Sequence, residues 1–172
     1  ITIITSITNE IIIEYDNYLR AQFDKVPVPP PDGVPGADVI SVFEDTNGDG
    51  KLDSKKDVIT GLNIATSVAI GAGGLWVANP PYLLFYPDSN GDDVPDSDPL
   101  VKLAGFGIED THSVMNSLTW GPDGWLYGAN GSTTTGKVKN PATGEVVEWL
   151  GQMIWRFHPE TEEFEIYAEG GG

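Results

Sequence analysis

The sequence predicts an all-β protein, a series of antiparallel hairpins forming a partial β-propeller with calcium-binding loops. Two acidic loops recur 43 residues apart, each after a short β-branched or aromatic run, and a strand–Gly turn–strand pattern ending in Ala-Asn occurs twice. That spacing is close to the period of about 40–50 residues of a four-stranded propeller blade. The 172 residues are enough for one domain with a sizeable core. A β-sandwich is the alternative, because short strands at regular spacing suit it as well.

Residues 1–25 form a first segment of uncertain role. Ile1 to Tyr15 is rich in Ile and Thr with partial alternation and reads as strand, with a short helix from Asn9 towards Phe23 as the other reading. Residues 26–38 carry Pro27, Pro29, Pro30, Pro31, Gly33, Pro35 and Gly36, which excludes regular helix or central strand and predicts an extended connector. Residues 39–172 hold the blades. Ser67 to Asn79 and Ser117 to Asn130 are matching hairpins; in the second, Gly121-Pro122-Asp123-Gly124 forms the turn, with Pro122 presetting φ and Gly124 free to take a positive one. Outer strand pairs follow, Leu83–Tyr86 with Leu100–Ala104 and Met153–Phe157 with Phe164–Ala168, the latter joined by the turn His158 to Glu163. The expected organisation is the tail of one blade, one whole blade and most of another. Such an arc needs further blades, or another protein chain, to close a ring.

The acidic loops are Asp45-Thr46-Asn47-Gly48-Asp49-Gly50-Lys51-Leu52-Asp53 and Asp88-Ser89-Asn90-Gly91-Asp92-Asp93-Val94-Pro95-Asp96. Both read D-x-N-x-D-x-x-x-D, which places oxygen donors at positions 1, 3, 5 and 9, with the backbone carbonyls of Lys51 and Val94 at position 7. Hard Ca²⁺ takes oxygen donors of this kind, and a divalent ion would relieve the repulsion among clustered carboxylates. Position 12 is Lys56 or Pro99 rather than the bidentate Glu of an EF-hand. These are therefore strand-borne loops, with Asp57, Asp98, a carbonyl or water as the replacement ligand. The other reading is a solvated acidic turn, since Asn-Gly and Asp-Gly are ordinary turn dipeptides.

A net charge of −17 with nine Lys and Arg argues against nucleic acid or an anionic membrane as partner and makes cations the natural counterpart; solubility in a saline setting explains it equally well. The absence of Cys excludes disulfides and thiolate sites. No apolar run reaches the roughly 20 residues of a transmembrane helix. Weak calcium loops suit millimolar extracellular calcium, so the expected location is extracytoplasmic. The first residue, Ile1, and the terminal Gly170-Gly171-Gly172 suggest a piece of a longer protein.

Only two His occur. His112 lies in the connection before the first strand of a repeat, where the preceding repeat has Leu62. A titratable residue thus replaces an apolar one in a connection expected near the ring's ligand-binding face. The ordinary reading is a loop imidazole bonded to a neighbouring carbonyl. His158, beside Pro159, reads as exposed and inert. Trp76, Tyr82, Trp120, Trp125, Tyr127 and Trp155 recur on strands and read as core rather than a sugar-stacking platform. Ser113 and Ser117 lie near His112, but no Gly-x-Ser-x-Gly elbow is present.

The run Leu103-Ala104-Gly105-Phe106-Gly107-Ile108-Glu109-Asp110-Thr111-His112-Ser113, followed by Asn116 to Gly128, resembles the domain known in planctomycetes and their relatives as a membrane-bound dehydrogenase. Asp24 to Pro31, Gly61 to Thr66, Pro80 to Tyr86 and Ile154 to Pro159 add to the resemblance, which spans about Asn17 to Gly172. That domain is related to soluble quinoprotein glucose and sorbosone dehydrogenases. The resemblance implies a six-bladed propeller in a larger secreted protein acting on a sugar or alcohol, with pyrroloquinoline quinone (PQQ) as a cofactor beside the calcium read from the loops. It further implies His112 as the base that takes a hydroxyl proton while hydride passes to the quinone, with Glu109, Asp110 and Asn116 orienting its ring or binding substrate hydroxyls. The chain departs from this pattern in lacking a cluster of Arg and Lys to grip the quinone's carboxylates. A non-catalytic propeller module that binds a glycan such as a polysaccharide, or a protein, or assembles at a surface, is the alternative.

Overall fold

The computed structural model describes residues 2–6 and 28–170. The expected helix from Asn9 towards Phe23, and the start of the Pro-rich connector, lie outside the described residues. Those described form thirteen strands and no helix, so none is long and apolar enough to cross a membrane.

The strands make three antiparallel sheets. Sheet I has the order β1 (Thr2–Ser6), β2 (Asp38–Glu44), β3 (Ser54–Leu62). Sheet II is built from β4 (Ser67–Gly71), β5 (Gly74–Asn79), β6 (Tyr82–Pro87) and β7 (Leu100–Phe106). Sheet III contains β8 (Asn116–Trp120), β9 (Leu126–Asn130), β12 (Met153–Phe157) and β13 (Phe164–Glu169). The remaining strands, β10 (Thr135–Lys139) and β11 (Val146–Leu150), leave sheet III between β9 and β12 and extend sheet II, because β10 pairs with β7. The third unit is thus a full four-stranded sheet, and the middle one has six strands. The turn at Gly124 has φ +83°, as a tight Pro-Asp-Gly turn requires.

Two hydrophobic clusters lie between the sheets. Ile40, Ile59 and Leu62 of sheet I pack with Leu75, Val77, Leu84 and Tyr86 of sheet II. Trp76, Ala78, Leu83 and Phe106 of sheet II pack with Leu126, Trp155, Phe157 and Phe164 of sheet III. Side chains alternate across a strand, so β5 feeds Leu75 and Val77 to one cluster and Trp76 and Ala78 to the other, and all six of its residues are buried. Strand β9 has the same register relative to its terminal Asn but buries only alternate residues. Gly128 on β9 leaves room for the Trp155 indole, which a Cβ there would meet at 2.2 Å. Of the aromatic residues expected in the core, Trp76, Trp155 and Tyr82 are buried, whereas Trp120, Trp125 and Tyr127 are only half-buried.

The inner edges of sheets II and III meet. The Leu118 amide donates to Ser67 Oγ at 2.9 Å, and Trp120 Nε1 donates to the Ile70 carbonyl at 2.8 Å. At the outer side, Glu162 in the β12–β13 turn pairs with Lys102 of β7 at 2.6 Å, and its carbonyl accepts from Asn140 Nδ2 at 2.5 Å.

Candidate metal loops and the His112 turn

Both acidic loops connect the last two strands of their units, β2–β3 and β6–β7, and they share one hydrogen-bond scheme. In the first loop Asp45 Oδ1 accepts the amides of Gly48 (2.7 Å) and Asp49 (3.2 Å), and Oδ2 accepts that of Gly50 (2.8 Å). Asp88 does the same for Gly91, Asp92 and Asp93 at 2.9, 3.2 and 2.9 Å. At the far end, Asp53 Oδ1 accepts the amide and hydroxyl of Thr46, both at 2.9 Å. Asp96 Oδ2 accepts those of Ser89 at 2.7 and 2.6 Å. Between them, Asn47 accepts from Asp49 and Asp49 from Lys51, as Asn90 accepts from Asp92 and Asp92 from Val94.

These donors set the titration of the loops. The Gly50 amide, helped by Gly48 and Asp49, holds the Asp45 carboxyl below the usual carboxylate range. The Thr46 amide and hydroxyl do so for Asp53, and the Ser89 hydroxyl and amide for Asp96. The Asp45, Asp53 and Asp96 carboxylates thus favour the anion, each accepting at least one backbone N–H. Among the described residues no three acidic or imidazole side chains converge as a preformed metal-holding group. A cation at either loop would draw on position 3 and 5 oxygens, the position 7 carbonyl and the spare lone pairs of positions 1 and 9.

The hairpin in the same place on sheet III is closed differently. His158 follows β12 as Asp45 follows β2 and Asp88 follows β6. Its ring Nδ1 accepts the amides of Glu160 (3.3 Å) and Thr161 (3.2 Å), and the backbone closes through His158 N to Glu163 O at 2.9 Å. The imidazole performs the capping done elsewhere by an Asp, and its ring lies edge-on to Trp125 at 5.0 Å.

His112 sits in the β7–β8 connection, in a turn closed by Ser113 N to Asp110 O at 2.9 Å. Asp110 is its hub. One carboxylate oxygen accepts the His112 amide at 2.9 Å; the other accepts Thr133 Oγ1 at 2.5 Å and Ser113 Oγ at 3.1 Å. Thr133 first, then the His112 amide, lower the Asp110 pKa to about 2. The His112 ring is 93% exposed, with Nδ1 3.3 Å from Asp110 Oδ1. When Nδ1 carries the proton, Asp110 orients the ring and Nε2 is the free basic nitrogen.

The other residues expected around His112 are engaged elsewhere. Glu109, 9% exposed, bonds the Thr135 hydroxyl, and Asn116 bonds the Val114 carbonyl and the Ser117 hydroxyl. Thr133 and Thr135, which fix the two acids, escaped the sequence reading; the run Ser132-Thr133-Thr134-Thr135 was the available signal.

A family model for a domain of unknown function, DUF7133, matches residues 12–172. The chain belongs to that family. No curated protein and no solved structure matches it.

Four of the seven described Lys and Arg side chains of this DUF7133 domain are held in ion pairs. Arg156 pairs with Asp123 (3.2 Å) and Glu165 (2.5 Å) and lies 4.2 Å from the Trp125 ring centre and 5.0 Å from that of Tyr167. Lys102 is held by Glu162, Lys55 by Asp57 at 2.9 Å and Lys137 by Glu148 at 3.4 Å. No group of unpaired cations stands near His112 among the described residues.

Proposed function

We propose that this DUF7133 domain is an extracytoplasmic, calcium-stabilised arc of a β-propeller that binds a glycan or a protein partner without redox chemistry. The observation that carries the reading is the shared bonding scheme of the two acidic loops at equivalent hairpins. The −17 net charge and the ion pairs that hold Lys102 and Arg156 support binding of cations over binding of a tricarboxylate quinone. The junction of sheets II and III through their first strands, β4 and β8, supports the propeller reading. Remaining blades, or a second chain, would complete the ring.

The test is thermal unfolding at fixed ionic strength in EGTA, then in a calcium series and an equal magnesium series. An ion bound by the folded state raises the midpoint as its concentration grows. A rise with calcium that magnesium does not reproduce supports the reading; an unchanged midpoint overturns it.

The Asp110–His112 pair favours a second reading, in which the domain is part of a PQQ-dependent sugar or alcohol dehydrogenase and His112 takes the hydroxyl proton. PQQ would supply the hydride acceptor. Added PQQ with calcium and a panel of sugars should then reduce a dye acceptor, and His112→Gln should abolish the reaction. Calcium binding with no change in the quinone's absorbance would leave the binding module.

A further inference from the structure

The chain holds three Asn-Gly pairs, Asn47-Gly48, Asn90-Gly91 and Asn130-Gly131. Asn-Gly is the dipeptide in which a backbone nitrogen most easily attacks the preceding side-chain amide, because glycine offers no steric hindrance. Asn79-Pro80 and Asn140-Pro141 cannot react this way, since proline nitrogen has no proton to lose. The fold separates the three competent pairs. Asn47 and Asn90 are exposed, and nothing lies within 4 Å of the place a Cβ would take at Gly48 or Gly91, so the tetrahedral intermediate has room. Their bonds, Asn47 Nδ2 to Asp53 (3.1 Å) and Asn90 Nδ2 to Asp92 (3.2 Å), are solvent-exposed ones that water can replace.

Asn130 differs in burial and in the room around its glycine, whereas the attacking amide is hydrogen-bonded in all three pairs, Gly48 N to Asp45 at 2.7 Å and Gly91 N to Asp88 at 2.9 Å. Asn130 is 4% exposed, and its Nδ2 donates to Thr134 Oγ1 at 3.2 Å and to the Gly151 carbonyl at 3.1 Å. The attacking nitrogen, Gly131 N, is bound to the Ser113 carbonyl at 2.8 Å, and Ser113 side-chain atoms stand 2.8 Å from its virtual Cβ. The two loops also differ from each other. Asp88, which anchors the second, is buried, whereas Asp45 is half-buried, so the first loop opens more readily.

We propose that Asn47, and more slowly Asn90, are sites of spontaneous deamidation in the folded protein, and that the fold protects Asn130. Gly48 N bonds to Asn47 Cγ as the Cγ–Nδ2 bond breaks, and the side-chain nitrogen leaves as ammonia with the backbone amide proton. Water then opens either C–N bond of the cyclic imide, giving aspartate or isoaspartate. Aspartate turns the third position of D-x-N-x-D into a carboxylate and raises the loop's negative charge, whereas isoaspartate inserts a methylene into its backbone. Either product changes what the loop holds, with no enzyme involved.

The full chain is incubated in its native state at mildly alkaline pH with EGTA, and in parallel in denaturant; peptide mass spectrometry then measures amide-to-acid conversion at each Asn. The expected native order is Asn47, Asn90, Asn130, with Asn130 at least about tenfold slower than Asn47 because it must await local opening. The three rates should converge in denaturant. Any other native order, or loop asparagines that stay amides while the denatured chain converts, overturns the proposal. The chelator makes the outcome independent of whether calcium binds.

Discussion

Three hairpins occupy the same place in successive sheets, and they are closed in two ways. The β2–β3 and β6–β7 loops begin with an Asp that gathers three backbone amides, whereas the β12–β13 turn begins with His158, whose ring nitrogen gathers two. Closing such a hairpin therefore needs one acceptor at its first position and no more. The acidic loops are longer, and their Asn and Asp at positions 3, 5 and 9 each accept a further backbone amide. They add mutual repulsion that a hairpin alone would be better without. The third hairpin is a control within the same chain, and the contrast with it is what the proposed calcium would have to account for.

That comparison is broken most directly by calcium itself. Each acidic loop should add about 2.7 kcal/mol to stability at free calcium of about 100 Kd, read as a rise in the urea midpoint. Asp49→Asn and Asp92→Asn should each remove one loop's share, and His158→Ala none. Next in size, Asp88→Ala in EGTA should cost about 2 kcal/mol, because it strips the partner from three amides at a buried position. Asp45→Ala should shift the midpoint in the same direction by less, since water reaches the first loop.

Acid sharpens the contrast. Asp45, Asp53 and Asp96 titrate below the ordinary carboxylate, and Asp110 titrates at about 2 against an ordinary 3.8. A pKa depressed by folding contributes stability that is fully present above the unfolded value and is lost as pH falls through the folded one. Stability should thus decline below about pH 4 and continue to fall towards pH 2, and Asp110→Asn should flatten that decline in a chemical-denaturation series. The smallest effect belongs to His158→Asp. It exchanges one amide acceptor for another and should stay within about 0.5 kcal/mol at neutral pH.

The hairpins β4–β5, β6–β7, β8–β9 and β12–β13 were legible in the sequence because each carries its own period, a turn residue at the right place and a partner strand close by. The β10–β11 hairpin was not. Thr133 to Lys139 reads as polar loop, and its strand identity comes from docking on β7 some 30 residues earlier, a long-range context that local pattern does not encode. Around His112 the sequence brought the right acids into view but not their partners. Asp110 reaches the imidazole, while Glu109 and Asn116 are drawn away by Thr135 and by their own turn, choices set by three-dimensional neighbours.

The two strands lent by the third unit to the second bear on how the chain folds. Sheet II gains β10 and β11 only after β9 has been made, and β9 meets β12 only once this excursion has been spanned. Strands β9 and β12 close on each other across β10 and β11, which sheet II holds, so closing sheet III and completing sheet II are coupled. Sheets II and III should therefore fold and unfold together in a single transition, and a cut after Asn130 should leave a bare β7 edge and an unfinished sheet rather than two independent modules.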